Sequence, residues 1–426
     1  MAGSWGAGVR EVWAHPWRIV RAASLTIGAA APDPISAVRT PSVAERALST
    51  RDGAGCERWT TAAAHAAGIW DVSAPADAPI AATWLADCSA AGESGPPLRV
   101  ERIDGGLRVT RGDGPGAEFI LARGDALEAD GLRIAARGRG ALRIVILAGA
   151  DAADLARARG RIERRGLAAI AGEREQHSRL IADFGTAIES SAADEVAEFE
   201  WAKAGADGLL VELGGGYRGF AADYRLPETA AWERFGPVVW ASGDTLASLG
   251  AALLAAGLRE PVRDVIRSGG APELATAWQA WTGETAPAAA APSGAVPHPA
   301  VLAERAAPEA FRGPEVWAPI TRAILDGWNA RPEGGARLAI RPTLPDGRSE
   351  MAIRRLRVGA SVVDAELRRR FDRVLARLYR RHGPALPITV ELGGPPPVAV
   401  TADDEPLAGA RAVVAVSDRH EVLFQF

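Results

Sequence analysis

The hydrophobic period of this chain changes twice, and the order of those changes constrains its fold more than any single motif does. A repeat of two residues puts apolar side chains on one face of a strand, whereas a repeat near 3.6 puts them on one face of a helix. From Val12 to about Leu147 the period is two. In "LRVERIDGGLRVTRG", Leu98 and Val100 alternate with charged residues. Asp104-Gly105-Gly106 supplies a turn that needs positive φ, and Leu107 and Val109 resume the alternation. "EFILA" and "ALRIVILAG" add further runs of this kind, and long helical crossovers are missing. The expectation is an antiparallel β-sandwich over residues 1–150.

At Asp151 the period becomes helical. Leu155, Ile162, Leu167, Ile170 and Leu180 fall at helical spacings, with Asp151 placed as an N-cap. Helices are expected at Val196–Ala204, Asp244–Ala256, Glu273–Trp281 and Val316–Trp328, so that residues 151–330 form a linker helix and a helical domain. "ETAPAAAAPSGAVPHPA" interrupts them as a Pro/Ala linker. After "NARPEGGA" the period returns to two, which predicts a small C-terminal β domain over residues 336–426 with Gly359 at a turn. Within it, "DAELRRRFDRVLARLYRRHG" carries Leu367, Phe371, Leu375 and Leu378 at spacings of three and four, which favours an inserted helix. The terminal "HEVLFQF" alternates Val422, Phe424 and Phe426 as a strand does.

Composition removes several classes of function. With 426 residues the chain is long enough for two or three domains and a core that needs no staple. Net charge is −4 and Lys203 is the only lysine, so no nucleic-acid or membrane partner is expected. Cys56 and Cys88 lie in no metal-binding spacing, so neither a metal nor a cofactor is expected, and a single bridge between them stays open. The N-terminal residues lack an apolar signal-peptide core, and the most apolar helix, near Leu246–Leu258, is too short to span a bilayer. A cytoplasmic location is the expectation.

The middle of the chain resembles the six-hairpin glycosidases, the glycogen-debranching and glucoamylase-like enzymes. The resemblance runs from Glu173 to Ile266, on Glu200-Trp201-Ala202-Lys203 at the entry to a first barrel helix and on Ser242-Gly243-Asp244 before a later one. "AWQAWTGE", from Ala277 to Glu284, is similar to a later helix and its turn, and "MAIRRLRVG" to a strand of a closing sandwich. The resemblance implies an N-terminal sandwich followed by an (α/α)6 toroid. About twelve helices of roughly a dozen residues each exceed the length between Asp151 and Asn329, so the toroid is expected to be incomplete. Apolar helix faces left bare in that way call for cover by a second copy, a partner chain or the flanking sandwiches, and oligomerisation is the expectation.

Glycoside hydrolysis needs two carboxylates. Asp223, Glu228 and Asp244 stand in loop positions, with Arg225, Trp232 and Trp240 among them. The reading that keeps activity assigns Asp244 and Glu228 as the catalytic pair on an α-glucosidic bond. Asp223 and Arg225 then hold sugar hydroxyls, while Trp232 and Trp240 offer stacking faces to an oligosaccharide or glucan. The plain alternative makes Asp244 a helix cap and pairs the carboxylates with Arg218 or Arg225. Trp278 and Trp281 share a helix face and are expected in the core, and Gly214–Tyr217 reads as a loop rather than a phosphate cradle. The six histidines are scattered, with no nucleophile elbow beside them. Three functional classes remain: a trimmed glycoside hydrolase, a non-catalytic glucan binder, and a scaffold keeping only the architecture.

Overall fold

The computed structural model describes residues 2–5, 9–14, 17–39, 43–51, 53–62, 66–90, 97–214, 217–223, 239–240, 243–269, 271–289, 317–345 and 347–426. It divides into two compact units, one within residues 1–178 and one from Arg179 to Phe426.

The first unit is built on a 14-stranded sheet whose strand pairs are all antiparallel. The strand Ala141–Gly149 pairs with Ala67–Ser73 on one side and Gly116–Arg123 on the other, so the sheet branches there and folds around its core. The hairpin read from the sequence is present: Leu98–Ile103 pairs with Gly106–Arg111, and Gly105 takes φ +69 in the turn. Inside, Trp84 packs edge-on against Trp70 at 5.2 Å between ring centroids and tilts against Phe119. Glu57 is fully buried here, which is tolerable because Trp70 Nε1 donates to it at 2.7 Å and the Arg46 guanidinium pairs with it.

The helical period starts where the sequence places it. Helix α1 (Ala152–Arg165) is capped by the Asp151 carboxylate, which accepts the Asp154 amide at 2.8 Å. Leu155 and Ala158 of α1, with Ile170 of α2 (Leu167–Phe184), bury against Ile69, Val145 and Leu147 on the outer side of the sheet.

The second unit interleaves helices and strands more than the sequence pattern predicts. Strand Ala187–Ser190 precedes α3 (Ala193–Asp207), and the paired strands Leu210–Gly214 and Tyr217–Asp223 follow it. Gly214 and Tyr217 are Cα partners in that pair. Then come α4 (Gly243–Ala255), α5 (Arg259–Gly269) and α6 (Pro272–Thr282), and later α7 (Ala318–Ile320), which widens into a π turn over Thr321–Gly327. Seven helices are thus present among the described residues, and most of the Pro/Ala linker lies outside them. Trp278 and Trp281 of α6 are buried, as their shared face predicts.

Two sheets make up the C-terminal sandwich. Seven strands form one sheet, which Ala187–Ser190 joins by pairing with Glu350–Val358, and four strands form the other, with one parallel pair. Val363, Ala365, Leu367, Val374, Ala376, Leu378, Val422 and Phe424 fill the interior from the first sheet, and Ile340, Ile388, Val390 and Val416 from the second. The helix expected near residues 364–383 is instead a hairpin, Ser361–Arg370 with Arg373–His382. Its inward positions alternate strictly, and Phe371, counted in the helical spacing, sits wholly exposed in the turn. "HEVLFQF" does form a strand, Arg419–Gln425, with Val422 and Phe424 buried.

Candidate functional site

The strands on either side of residues 224–238 are described. Upstream, Tyr217–Asp223 is fastened to α5: Ser268 Oγ accepts the Arg218 amide at 3.0 Å and donates to the Arg218 carbonyl at 2.9 Å. The Arg218 side chain pairs with Asp264. Downstream, the two-residue strand Val239–Trp240 pairs antiparallel with the end of that strand, with Ala221 opposite Trp240 and Asp223 opposite Val239. Helix α4 begins three residues beyond Trp240. Glu228, Arg225 and Trp232 lie outside the described residues.

Asp244 occupies the first turn of α4 and is exposed, where its charge meets the positive end of the helix dipole. The helix itself is apolar on several sides: Leu246, Leu249, Ala252, Leu253, Leu254 and Ala255 are buried. Gly250 allows it to lie close to α6, since a Cβ there would stand 2.3 Å from Leu274 Cδ2. This packing sets α4 closely against α6.

At the other end of α4 the sole lysine lies at the centre of a buried knot of hydrogen bonds. Lys203 of α3 is fully buried. Its Nζ donates to the Thr186 carbonyl at 2.7 Å, lies 2.8 Å from Glu200 and sits over the Phe199 ring. Thr186 in turn donates its hydroxyl to the Ala255 carbonyl at 2.7 Å and its amide to that of Ala256. Burial lowers the Lys203 pKa, and the Glu200 carboxylate opposes that shift. The only signal in the sequence was the lysine's singularity.

Among the described residues no cluster of three or more metal-ligating side chains occurs, and no helix is long and apolar enough to cross a membrane. Cys56 and Cys88 are free thiols. Around α4 the described residues thus give an exposed carboxylate at a helix start and a short strand pair in which Asp223 is opposite Val239 and Ala221 opposite Trp240. The pair of carboxylates that hydrolysis needs has one described member, Asp244.

No family model matches the chain, and no curated protein does. Solved structures that resemble parts of it include a bacterial glucoamylase complexed with acarbose, at 11% identity and a TM-score of 0.41, over 61% of this chain and 47% of that one. A family GH92 alpha-mannosidase from Bacteroides thetaiotaomicron matches at 8% identity and a TM-score of 0.34, over 61% and 48% of the two chains. A proposed kojibiose phosphorylase from the human microbiome matches at 7% and 0.36, over 57% and 34%. The chain spans about half or less of the length of each of these proteins.

Proposed function

We propose that this chain is a carbohydrate-active protein that holds an α-glucan at the N-terminus of α4, with Asp244, Asp223 and Trp240 at the centre of the site. The observation that carries the reading is the pairing of Asp223 with Val239, with Val239–Trp240 followed within a few residues by the helix whose first turn holds Asp244. In the active form of this reading Asp244 and Glu228 cleave an α-glucosidic bond. Arg225 and Asp223 hold sugar hydroxyls, and Trp232 and Trp240 stack on pyranose faces. The exposure of Asp244 favours a second reading, in which the site binds a glucan without cleaving it. A glycosidase's general acid works from a desolvated setting that raises its pKa, and a carboxylate open to water is suited to a hydroxyl contact or a cap.

Further parts of the proposal concern assembly and location. The helical region is shorter than a full toroid needs, and a second copy or another chain covers the faces left bare. Two free cysteines suit a reducing compartment such as the cytoplasm. The experiment is release of reducing ends from maltooligosaccharides by the native chain, Glu228→Gln and Asp244→Asn. Release that both substitutions abolish supports hydrolysis; binding without release supports the glucan-binding reading; neither binding nor release refutes both.

A further inference from the structure

The hairpin Ser361–Arg370/Arg373–His382 turns on two residues, Phe371 and Asp372, because Arg370 and Arg373 are Cα partners. Phe371 takes φ +51 and is exposed to 102% of its reference area. Positive φ at the first central position of such a turn suits glycine or asparagine, and a bulky aromatic residue there is disfavoured. The register also sets two arginines directly opposite each other, which destabilises a strand pair. Asp372 offsets this only from 3.9 Å, on Arg373 alone. Phe371 thus combines backbone strain with full exposure, next to like charges in register. None of this helps the hairpin fold.

The same end of the sheet carries more apolar surface. The Phe426 amide donates to the Asp372 carbonyl and the Val398 amide to the Gln425 carbonyl, so three neighbouring strand ends lie together. Val398 is 78% exposed there. A side chain as exposed as Phe371 projects from the surface into solvent. A bilayer interface needs no matching pocket: it closes around an inserted ring and offers phosphates to guanidinium groups. We propose that this end of the C-terminal sheet docks on an anionic phospholipid surface, with Phe371 and Val398 entering the headgroup region and Arg370 and Arg373 on lipid phosphates. The expectation of no membrane partner came from the overall charge of −4, which hides the local excess of arginine at the tip.

The test is co-sedimentation of the full chain with phosphatidylcholine vesicles and with vesicles in which about one-third of the lipid is phosphatidylglycerol. Binding is expected to the anionic vesicles and to weaken with salt. Arg370→Ser and Arg373→Ser are each expected to lose about fivefold. Phe371→Gly is expected to lose about tenfold while raising the thermal midpoint, because glycine relieves the turn. Absence of binding to anionic vesicles overturns the proposal, as does undiminished binding by Phe371→Gly. A lowered midpoint for Phe371→Gly also overturns it, since the ring would then serve the fold.

Discussion

Replacing Gly250 with alanine tests the close packing of α4 on α6. In an ordinary helix interior this change stabilises a protein by about 0.5–1 kcal/mol, because glycine is the more costly residue to order. At Gly250 the new Cβ would stand 2.3 Å from Leu274 Cδ2. Apolar carbons rest at about 3.5–4.0 Å, so the two helices or the leucine must give by well over an ångström. Leu274 is fully buried and has little room to turn. Overpacking of this kind costs about 1–3 kcal/mol and outweighs the gain in propensity, leaving a net loss of about 1 kcal/mol. For a unit of this size that lowers the thermal midpoint by about 2–4 °C. Leu274→Ala alone opens a cavity and costs about 2–5 kcal/mol. In the double variant the alanine methyl enters that cavity, so the combined loss falls short of the sum by about 1 kcal/mol or more. Urea unfolding followed by circular dichroism measures all three. A Gly250→Ala protein more stable than the native one, or strict additivity in the double variant, would refute the close α4–α6 contact.

Other perturbations have signs that follow from the charges. Burial lowers the folded pKa of Lys203, so the unfolded chain binds the extra proton between that value and the unfolded one near 10.5; native stability rises with pH across this window. Lys203→Met is expected to flatten that rise in thermal midpoints taken from about pH 8 to 11. Glu195 is held below its usual pKa mainly by hydrogen bonds from Arg348, in a pair that is partly exposed. Its contribution, of about 1 kcal/mol or less, is present above the unfolded carboxylate value and is lost as pH falls through the lower folded one. The stability gap between the native chain and Glu195→Gln should therefore close in acid denaturant titrations. Cys88 is buried, with its thiol pushed up to about 12, and burial also raises Cys56, which is partly exposed. A thiol reagent at pH 8 is expected to leave Cys88 unlabelled in the native protein and to label both cysteines in urea.

Local rules made the hairpin at Leu98–Arg111 and the Asp151 cap readable, because an Asp-Gly turn between alternating runs and a carboxylate before a helical run each act within a few residues. The hairpin at Ser361–His382 misled for a physical reason. Its inward set, Val363, Ala365 and Leu367 followed by Val374, Ala376 and Leu378, is strictly alternate, but Phe371 at the tip supplies a false link in a helical spacing. Nothing local marks Ala187–Ser190 as a strand, since its partner Glu350–Val358 is far away in the chain. The burial of Lys203 is hidden in the same way, because Thr186 and the end of α4 must arrive from distant positions to satisfy it. At the candidate site the residue types were legible, and the pairing of Asp223 with Val239 was not, because it rests on a strand of two residues.

Calorimetric titration of the native chain, Asp244→Asn and Trp240→Ala with maltooligosaccharides tests the central claim most directly. The account predicts saturable binding by the native protein and its loss in both variants, with thermal midpoints showing that each variant is folded. Binding that survives both substitutions, or no heat from any maltooligosaccharide, would contradict a glucan site at the start of α4 and leave Asp244 as a helix cap.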